Sequence, residues 1–382
     1  MNVDRSTLVS TAKSVVVKLG SQGLSDARNH LDLAFVASIA GQVAALRHRG
    51  VRVTLVSSGA VSSGLAELGL DTRPADLATL QAVAAVGQRR LMDGWAGAFA
   101  PHGLKVAQLL LTRDDTDHRT RFLNLRNTIH AVHELGAVPI INENDTVSTD
   151  ELVRITFGDN DLLAATVAQA LRADLLILLS VVDGVLDTNK QRLPMFTSID
   201  EAAKHLQVGK SALGKGGMNS KLEAARLVTG SGETMVIAHG RTPDVLTRIL
   251  AGEDVGTLFV PSSASRRTGR SRWIRAARGK GSITVDAGAA VAITQKNKSL
   301  LPAGITAVTG DFDRGDVVDL LSPNGQLIAR GLSNYTAGDV GKILGKKTSE
   351  LRALVGSHAY DEVIHRDNLV CVEHAKASDS AV

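Results

Sequence analysis

Cysteine is nearly absent from this sequence: one residue, Cys371, stands in 382. A lone thiol forms no internal bridge, so no disulfide framework is expected and the chain suits a reducing compartment. Nor is a cysteine nucleophile expected at that position, so close to the C-terminus. Long apolar runs are missing as well. None approaches the roughly 20 residues of a membrane span, and the first residues lack the basic, apolar and small-residue order of a secretion signal. A cytoplasmic protein without membrane contact is the expectation. Charge of one sign is not in large excess, since 43 Lys and Arg face 39 Asp and Glu and leave +4. That balance argues against nucleic acid as a partner unless the basic residues cluster. Familiar signatures are missing too. No His-Glu-x-x-His helix occurs, and the 11 histidines show no ligand spacing, so a zinc site has no support. No Gly-x-Gly-x-x-Gly follows the first apolar strand, which removes the dinucleotide fingerprint. Gly209-Lys210-Ser211 copies the end of a P-loop, but Lys204 stands where its first glycine belongs and no strand precedes it.

What the sequence does contain is enough for two ordinary globular domains. Hydrophobic residues make up 44% and charged residues 21%, and the length exceeds what one core usually serves. Up to about Leu250, short β-branched runs alternate with alanine-rich stretches, the pattern of crossover units feeding a parallel sheet. The expected strands are Val15 to Leu19, Val51 to Val56, Val106 to Leu111, Val138 to Ile141, Leu175 to Leu179 and Met235 to Ala238, near-continuous apolar runs that suit strands covered on both faces. Apolar residues at three- and four-residue spacing predict helices at Leu31 to Arg49, Leu77 to Phe99, Arg121 to Leu135, Leu162 to Leu171 and Leu222 to Val228. The reading is an α/β fold, a three-layer α/β/α domain over residues 1–261. Residues 262–280, opening on the polar and basic Ser262 to Arg272, read as a linker in which arginines cluster as far as Arg278. Residues 281–365 read as a small mostly-β module, with strands at Ile283 to Val285, Val317 to Leu320 and Gln326 to Arg330 and a hairpin signal at Pro323-Asn324-Gly325. Residues 366–382 are left as a tail.

The chemistry-bearing residues gather at strand ends, where open α/β sheets place ligands. Lys18-Leu19-Gly20-Ser21 closes the first strand, with a lysine on a rigid element and a glycine that lets backbone amides approach an anion. Ser57-Ser58-Gly59-Ala60 follows the second strand and opens a helix whose N-terminal amides can hold an anion. Asn142-Glu143-Asn144-Asp145 and Gly158-Asp159-Asn160-Asp161 are acidic and amide clusters that can hold a metal, pair an ammonium group or cap turns. Gly214-Lys215-Gly216-Gly217-Met218-Asn219-Ser220-Lys221 leads into a helix, as a backbone that can wrap a triphosphate with Lys221 reaching a phosphoryl group, or as a plain glycine-rich linker.

Taken in order, these elements resemble the amino acid kinase family, over about residues 12 to 365. Further similarity runs through Ala84-Ala85-Val86-Gly87-Gln88, Leu110-Leu111-Thr112-Arg113 and Arg121-Phe122-Leu123-Asn124. The small module resembles a PUA domain through Gly281-Ser282-Ile283-Thr284-Val285-Asp286-x-Gly288-Ala289 and Leu301-Pro302-x-Gly304-Ile305. The resemblance implies ATP-dependent phosphorylation of the side-chain carboxylate of L-glutamate, the first step of proline biosynthesis, with ATP and Mg²⁺ as cofactors. It implies Lys18 and Lys221 as the catalytic pair, with Asp161 between them orienting both. It implies Ser58, Asp145 and Asn160 on the amino-acid substrate. The nucleotide would lie along Lys215, Gly216, Gly217, Met218, Asn219, Ser220 and Lys221, with Lys18 at its phosphates and Ser180 and position 181 beside it. No residue is assigned as a metal ligand. Val181 stands where the family usually has an aspartate, so that contact is missing. Proline feedback and a homo-oligomer, dimer or tetramer, also follow from the resemblance. An acetylglutamate kinase-like activity is the alternative within the family, ahead of aspartokinase and uridylate kinase. Its substrate carries an uncharged nitrogen, whereas the acidic loop ending at Asp145 suits a free ammonium group. A distant alternative is an RNA-binding protein acting through the PUA-like module and the arginines of the linker.

Overall fold

Apolar β-branched runs become strands here because the sheet they form is covered on both faces. The computed structural model describes residues 4–26, 28, 30–147, 159–208, 215–261, 273–275, 277–346, 350–355 and 360–372. The chain divides into two compact units, 1–266 and 267–382. Among the described residues no helix is long and apolar enough to cross a membrane.

The first unit is built on an eight-stranded sheet: β1 (Ser14–Leu19), β2 (Arg52–Ser57), β3 (Val106–Leu111), β4 (Val138–Glu143), β5 (Leu175–Ser180), β6 (Met195–Phe196), β7 (Thr234–His239) and β8 (Thr257–Phe259). Their spatial order is β3-β4-β2-β1-β5-β7-β8-β6. All neighbours run parallel except β7 and β8. The chain leaves β1 to one side for β2, β3 and β4 and returns to the other side for β5 and β7, so the order reverses between β1 and β5. That is where such sheets open a ligand crevice at their carboxyl ends. Helix Leu77–Phe99 and strand β3 have the expected bounds. The strands β6 and β8 were not expected, being two and three residues long and too short to show a period.

Alternation along β1 fixes which layer receives its lysine. Val15, Val17 and Leu19 enter the core on one face, with Phe35, Ile39, Leu91, Trp95 and Phe99. Val16 enters the other, with Val167, Ala168, Ala224 and Val228 from helices Asp159–Leu171 and Lys215–Thr229. Side chains two apart in a strand share a face, so Lys18 follows Val16 toward those two helices.

On the β2 side, helix Ala60–Leu68 crosses helix Leu77–Phe99 at glycines. A Cβ on Gly87 would stand 1.8 Å from the Ala60 carbonyl oxygen, and one on Gly64 would stand 1.9 Å from that of Val83. Gly87→Ala is therefore expected to wedge the helices apart and to cost about 3 kcal/mol, at the top of the overpacking range because the obstacle is backbone. Thermal denaturation reads the loss. An unchanged midpoint would show that the crossing has slack.

The second unit holds a five-stranded sheet of β9 (Gly281–Val285), β10 (Ile305–Gly310), β11 (Val317–Leu321), β12 (Leu327–Leu332) and β13 (Leu369–Cys371), in the order β10-β9-β11-β12-β13. The β11–β12 hairpin turns at Gly325, whose φ of 80° explains the glycine. Two expectations need correction. The sheet continues past 365, because Leu369–Cys371 pairs with β12 as a strand too short for any period to reveal. The range 262–280 is not an open linker over its described end, since Trp273, Ile274 and Ala277 are buried, and removing their apolar surface from water favours that packing. Ser262 to Arg272, Gly158, Gly214 and residues 373–382 lie outside the described residues.

Candidate functional site

Three segments bring their charges to one point at the carboxyl end of β1. Asp161, in helix Asp159–Leu171, is fully buried. Its Oδ1 lies 2.6 Å from Lys18 Nζ, and its Oδ2 lies 3.0 Å from Lys221 Nζ. Ser220 donates its hydroxyl to the same Oδ2 at 2.9 Å, and Lys221 also donates to the Gly217 carbonyl at 3.1 Å. Burial pushes the Asp161 carboxyl up, but Lys18 and then Lys221 outweigh it and hold it below the ordinary carboxylate range. Burial is the largest influence on Lys221 and lowers its ammonium pKa; Asp161 opposes that shift and Lys18 adds to it. Two cations thus share one anion in a nearly dry pocket, leaving positive charge for a further anionic group.

The residues expected to form a glycine loop belong instead to a helix. Helix Lys215–Thr229 includes Lys215, Gly216, Gly217, Met218, Asn219, Ser220 and Lys221, so it starts well before Leu222. Glycine is a poor helix former, but a first turn tolerates it, and Leu222-Glu223-Ala224-Ala225 carry the propensity. The chemical meaning of the segment changes accordingly. Its first amides are those of a helix N-terminus, which have no partner within the helix and favour an anion, and they stand on the helix that presents Lys221.

Polar amides line the opposite flank, at the ends of β2 and β4. Asn160 donates from Nδ2 to Ser58 Oγ at 2.6 Å and to Asn142 Oδ1 at 3.2 Å, while its own Oδ1 is buried without a hydrogen-bond partner. Asn142 in turn donates to Gln88 Oε1 at 2.8 Å. Beneath them Trp95 donates to Ser57 Oγ at 3.0 Å. Asp145, in the turn after β4, is buried, and burial pushes its carboxyl up to about 6 while Arg73 acts in the other direction.

The structure therefore brings together Lys18, Lys221, Asp161 and Ser220 as one cluster, and Ser58 and Asn160 as another, linked because Asn160 and Asp161 are consecutive. Ser180 ends β5 on the other side of β1, and Val181 just beyond it is 49% exposed, so position 181 presents an apolar side chain to solvent. Sequence reasoning gave Gln88 and Asn142 no role of their own, although both stood inside quoted family-like runs. It also missed that Ser220 meets Asp161. No group of three or more His, Cys, Asp or Glu side chains able to hold a metal gathers among the described residues. In the second unit an open cleft of about 730 Å³ is lined by Asp286 and Glu362 as well as Lys298, His365 and Arg366. Carboxylates among its cations give it no one-signed field for a phosphate backbone.

Comparison with known proteins adds the family. Residues 13–239 match the amino acid kinase family, and residues 281–355 match the PUA domain. Glutamate 5-kinase of Syntrophotalea carbinolica is 43% identical over 376 residues, covering 96% of this chain and 99% of that protein. Glutamate 5-kinase of Stutzerimonas stutzeri is 45% identical over 372 residues, covering 95% and 99%, and that of Pseudomonas putida is 44% identical over the same length.

Proposed function

This chain belongs to the amino acid kinase family, and from that premise we propose that it transfers the γ-phosphoryl group of ATP to the side-chain carboxylate of L-glutamate, giving L-glutamate 5-phosphate and ADP in the first step of proline biosynthesis. The observation that carries the choice of acceptor is the pair of Ser58 and Asn160, hydrogen-bonded at 2.6 Å, with Asn160 next in sequence to the Asp161 that holds the two lysines. The pair has an unpartnered amide oxygen for a free ammonium group, and the buried carboxylate of Asp145, in the turn after β4, is assigned to the same group.

A carboxylate oxygen of the substrate attacks the γ-phosphorus, the bond to the β,γ-bridge oxygen breaks, and ADP leaves. No general base is needed, because a glutamate side chain is ionised at neutral pH. The difficulty is anion approaching anion. Lys18 and Lys221, fixed from two sides by Asp161, stabilise the charge on the transferring group, and the N-terminal amides of helix Lys215–Thr229 hold the phosphates. With the acceptor on the β2 and β4 side of the lysines, the nucleotide lies on the other side, by Ser180 at the end of β5. Asp161 is committed to two lysines, so a magnesium ion would be held by the phosphates of the nucleotide rather than by this carboxylate, and would supply further neutralisation of their charge. Family membership also supports a homodimer or homotetramer, feedback inhibition by proline and a cytoplasmic location.

The test is ADP release with glutamate, acetylglutamate and aspartate in parallel, with hydroxylamine trapping of the acyl phosphate. Turnover with acetylglutamate alone would overturn the proposal. Asp145→Asn keeps shape and removes charge, and a charged hydrogen bond is worth about 1.5 to 3 kcal/mol. The KM for glutamate should rise about tenfold or more while that for ATP holds. The carboxyl ionises only above about 6, so wild-type kcat/KM for glutamate should fall as pH drops through that value. The Asp145→Asn profile should lack this step. An unchanged glutamate KM, or the same acid limb in the variant, would remove Asp145 from the pocket.

A further inference from the structure

We propose that Gln88 is a positioning residue for the amino-acid substrate, setting through Asn142 the orientation of the Asn160 amide so that its oxygen, not its nitrogen, faces the substrate ammonium. The inference rests on the assignment of Asn160 to the glutamate pocket.

A chain of side-chain hydrogen bonds runs from helix Leu77–Phe99 to the pocket, and all three of its amides are nearly inaccessible, with exposures of 8% for Gln88, 2% for Asn142 and 6% for Asn160. The Gln88 carbonyl accepts from Asn142 Nδ2, the Asn142 carbonyl accepts from Asn160 Nδ2, and Ser58 Oγ accepts from the same Asn160 nitrogen. A primary amide has two N–H donors and one oxygen. Both donors of Asn160 are therefore used inside the protein, and its oxygen is left buried without a partner. A buried acceptor with nothing to accept is unfavourable until a donor arrives. An ammonium group supplies that donor, and Ser58, having accepted, keeps its own proton to donate.

An amide reverses its polarity by a flip about its last torsion, which changes its shape very little. In the sense seen here the chain begins at the Gln88 carbonyl. If Gln88 offers no carbonyl, Asn142 can turn its nitrogen toward Asn160. Two donors then face each other, and Asn160 relieves the conflict by flipping its own nitrogen into the pocket, where it repels an ammonium. Gln88 would act on substrate binding through two intervening residues, without touching the substrate.

The experiment is a double-mutant cycle. Asn160→Ala alone tests the assignment of Asn160: an unchanged glutamate KM there would sink that reading and the inference with it. Gln88→Met keeps length and burial but removes the acceptor. It should raise the glutamate KM about tenfold, the scale of one lost neutral hydrogen bond, with the ATP KM and the melting midpoint little changed. In the Asn160→Ala background the same substitution should add less than about twofold, because the amide it orients is gone. Equal effects in both backgrounds, or a Gln88→Met enzyme with wild-type glutamate KM, would overturn the proposal. Should Gln88→Met not fold, the cycle run with Gln88→Ala decides by the same criteria.

Discussion

Lys221→Ala is expected to lower kcat by about 10² to 10³-fold and to leave the KM for ATP within a few-fold, in line with the loss of other preorganised donors. A lysine on an exposed helix surface would behave otherwise, with stability changing by a few tenths of a kcal/mol and turnover intact. Lys221 is not so placed. Its side chain is 12% exposed and is fixed by Asp161 and the Gly217 carbonyl, so the ammonium is aimed before substrate arrives. Binding of ATP survives in large part because the amides at the start of helix Lys215–Thr229 remain. Lys221→Arg should rescue poorly, since a planar guanidinium does not fit a site shaped around a compact ammonium. The depressed pKa of Lys221 adds a second signature. The wild-type kcat should fall on an alkaline limb that begins below the ordinary lysine range, as the ammonium is lost, and Lys221→Ala should lack that limb. Single-turnover phosphorylation at saturating glutamate and ATP is the decisive measurement. A wild-type rate there would leave Lys18 as the only lysine at the phosphoryl group.

The strands that frame this site were legible because each is a near-continuous apolar run that gives way to small or polar residues, and Lys18 stood out as the one charge in Val15 to Leu19. Helix starts were less legible. The glycines at 216 and 217 disguised the first turn of a helix as a loop, because local propensity is a weak prior that a packed face overrides. The strands β6, β8 and β13 were invisible because two or three residues carry no period. In the site, residue types were readable and their partners were not. Nothing in the run around Gln88 says that its side chain meets Asn142 across the domain, since a glutamine on an alanine-rich helix reads equally well as surface. Ser57 likewise reads as half of a serine pair, and only the fold brings the Trp95 indole onto it. The burial that shifts Asp145 is a property of the assembled pocket.

Asp161→Asn should be the more damaging change, lowering kcat by about 10³-fold or more and also lowering the melting midpoint. The side chain hardly alters in size, so the effect isolates charge. An asparagine can offer its oxygen to one lysine only and turns an N–H₂ group toward the other, leaving two nearly buried ammonium groups with no anion between them. Breaking a buried ion pair by removing one partner typically costs about 3 to 5 kcal/mol, and here one carboxylate serves two cations. Lys221, whose pKa is already depressed, is expected to give up its proton first, so the residual activity should rise as pH is lowered, opposite to the acid limb set by Asp145. The stability effect has its own sign. The folded-state pKa of Asp161 lies below the ordinary value, so its stabilising contribution is complete above the unfolded carboxylate pKa of about 3.9 and is lost as pH falls through the lower folded value. The gap in melting midpoint between wild type and Asp161→Asn should therefore be widest at neutral pH and close in strong acid. A gap that does not change with pH would mean that Asp161 acts by shape rather than by charge. A variant with wild-type turnover at neutral pH would show that the two lysines hold their places without it.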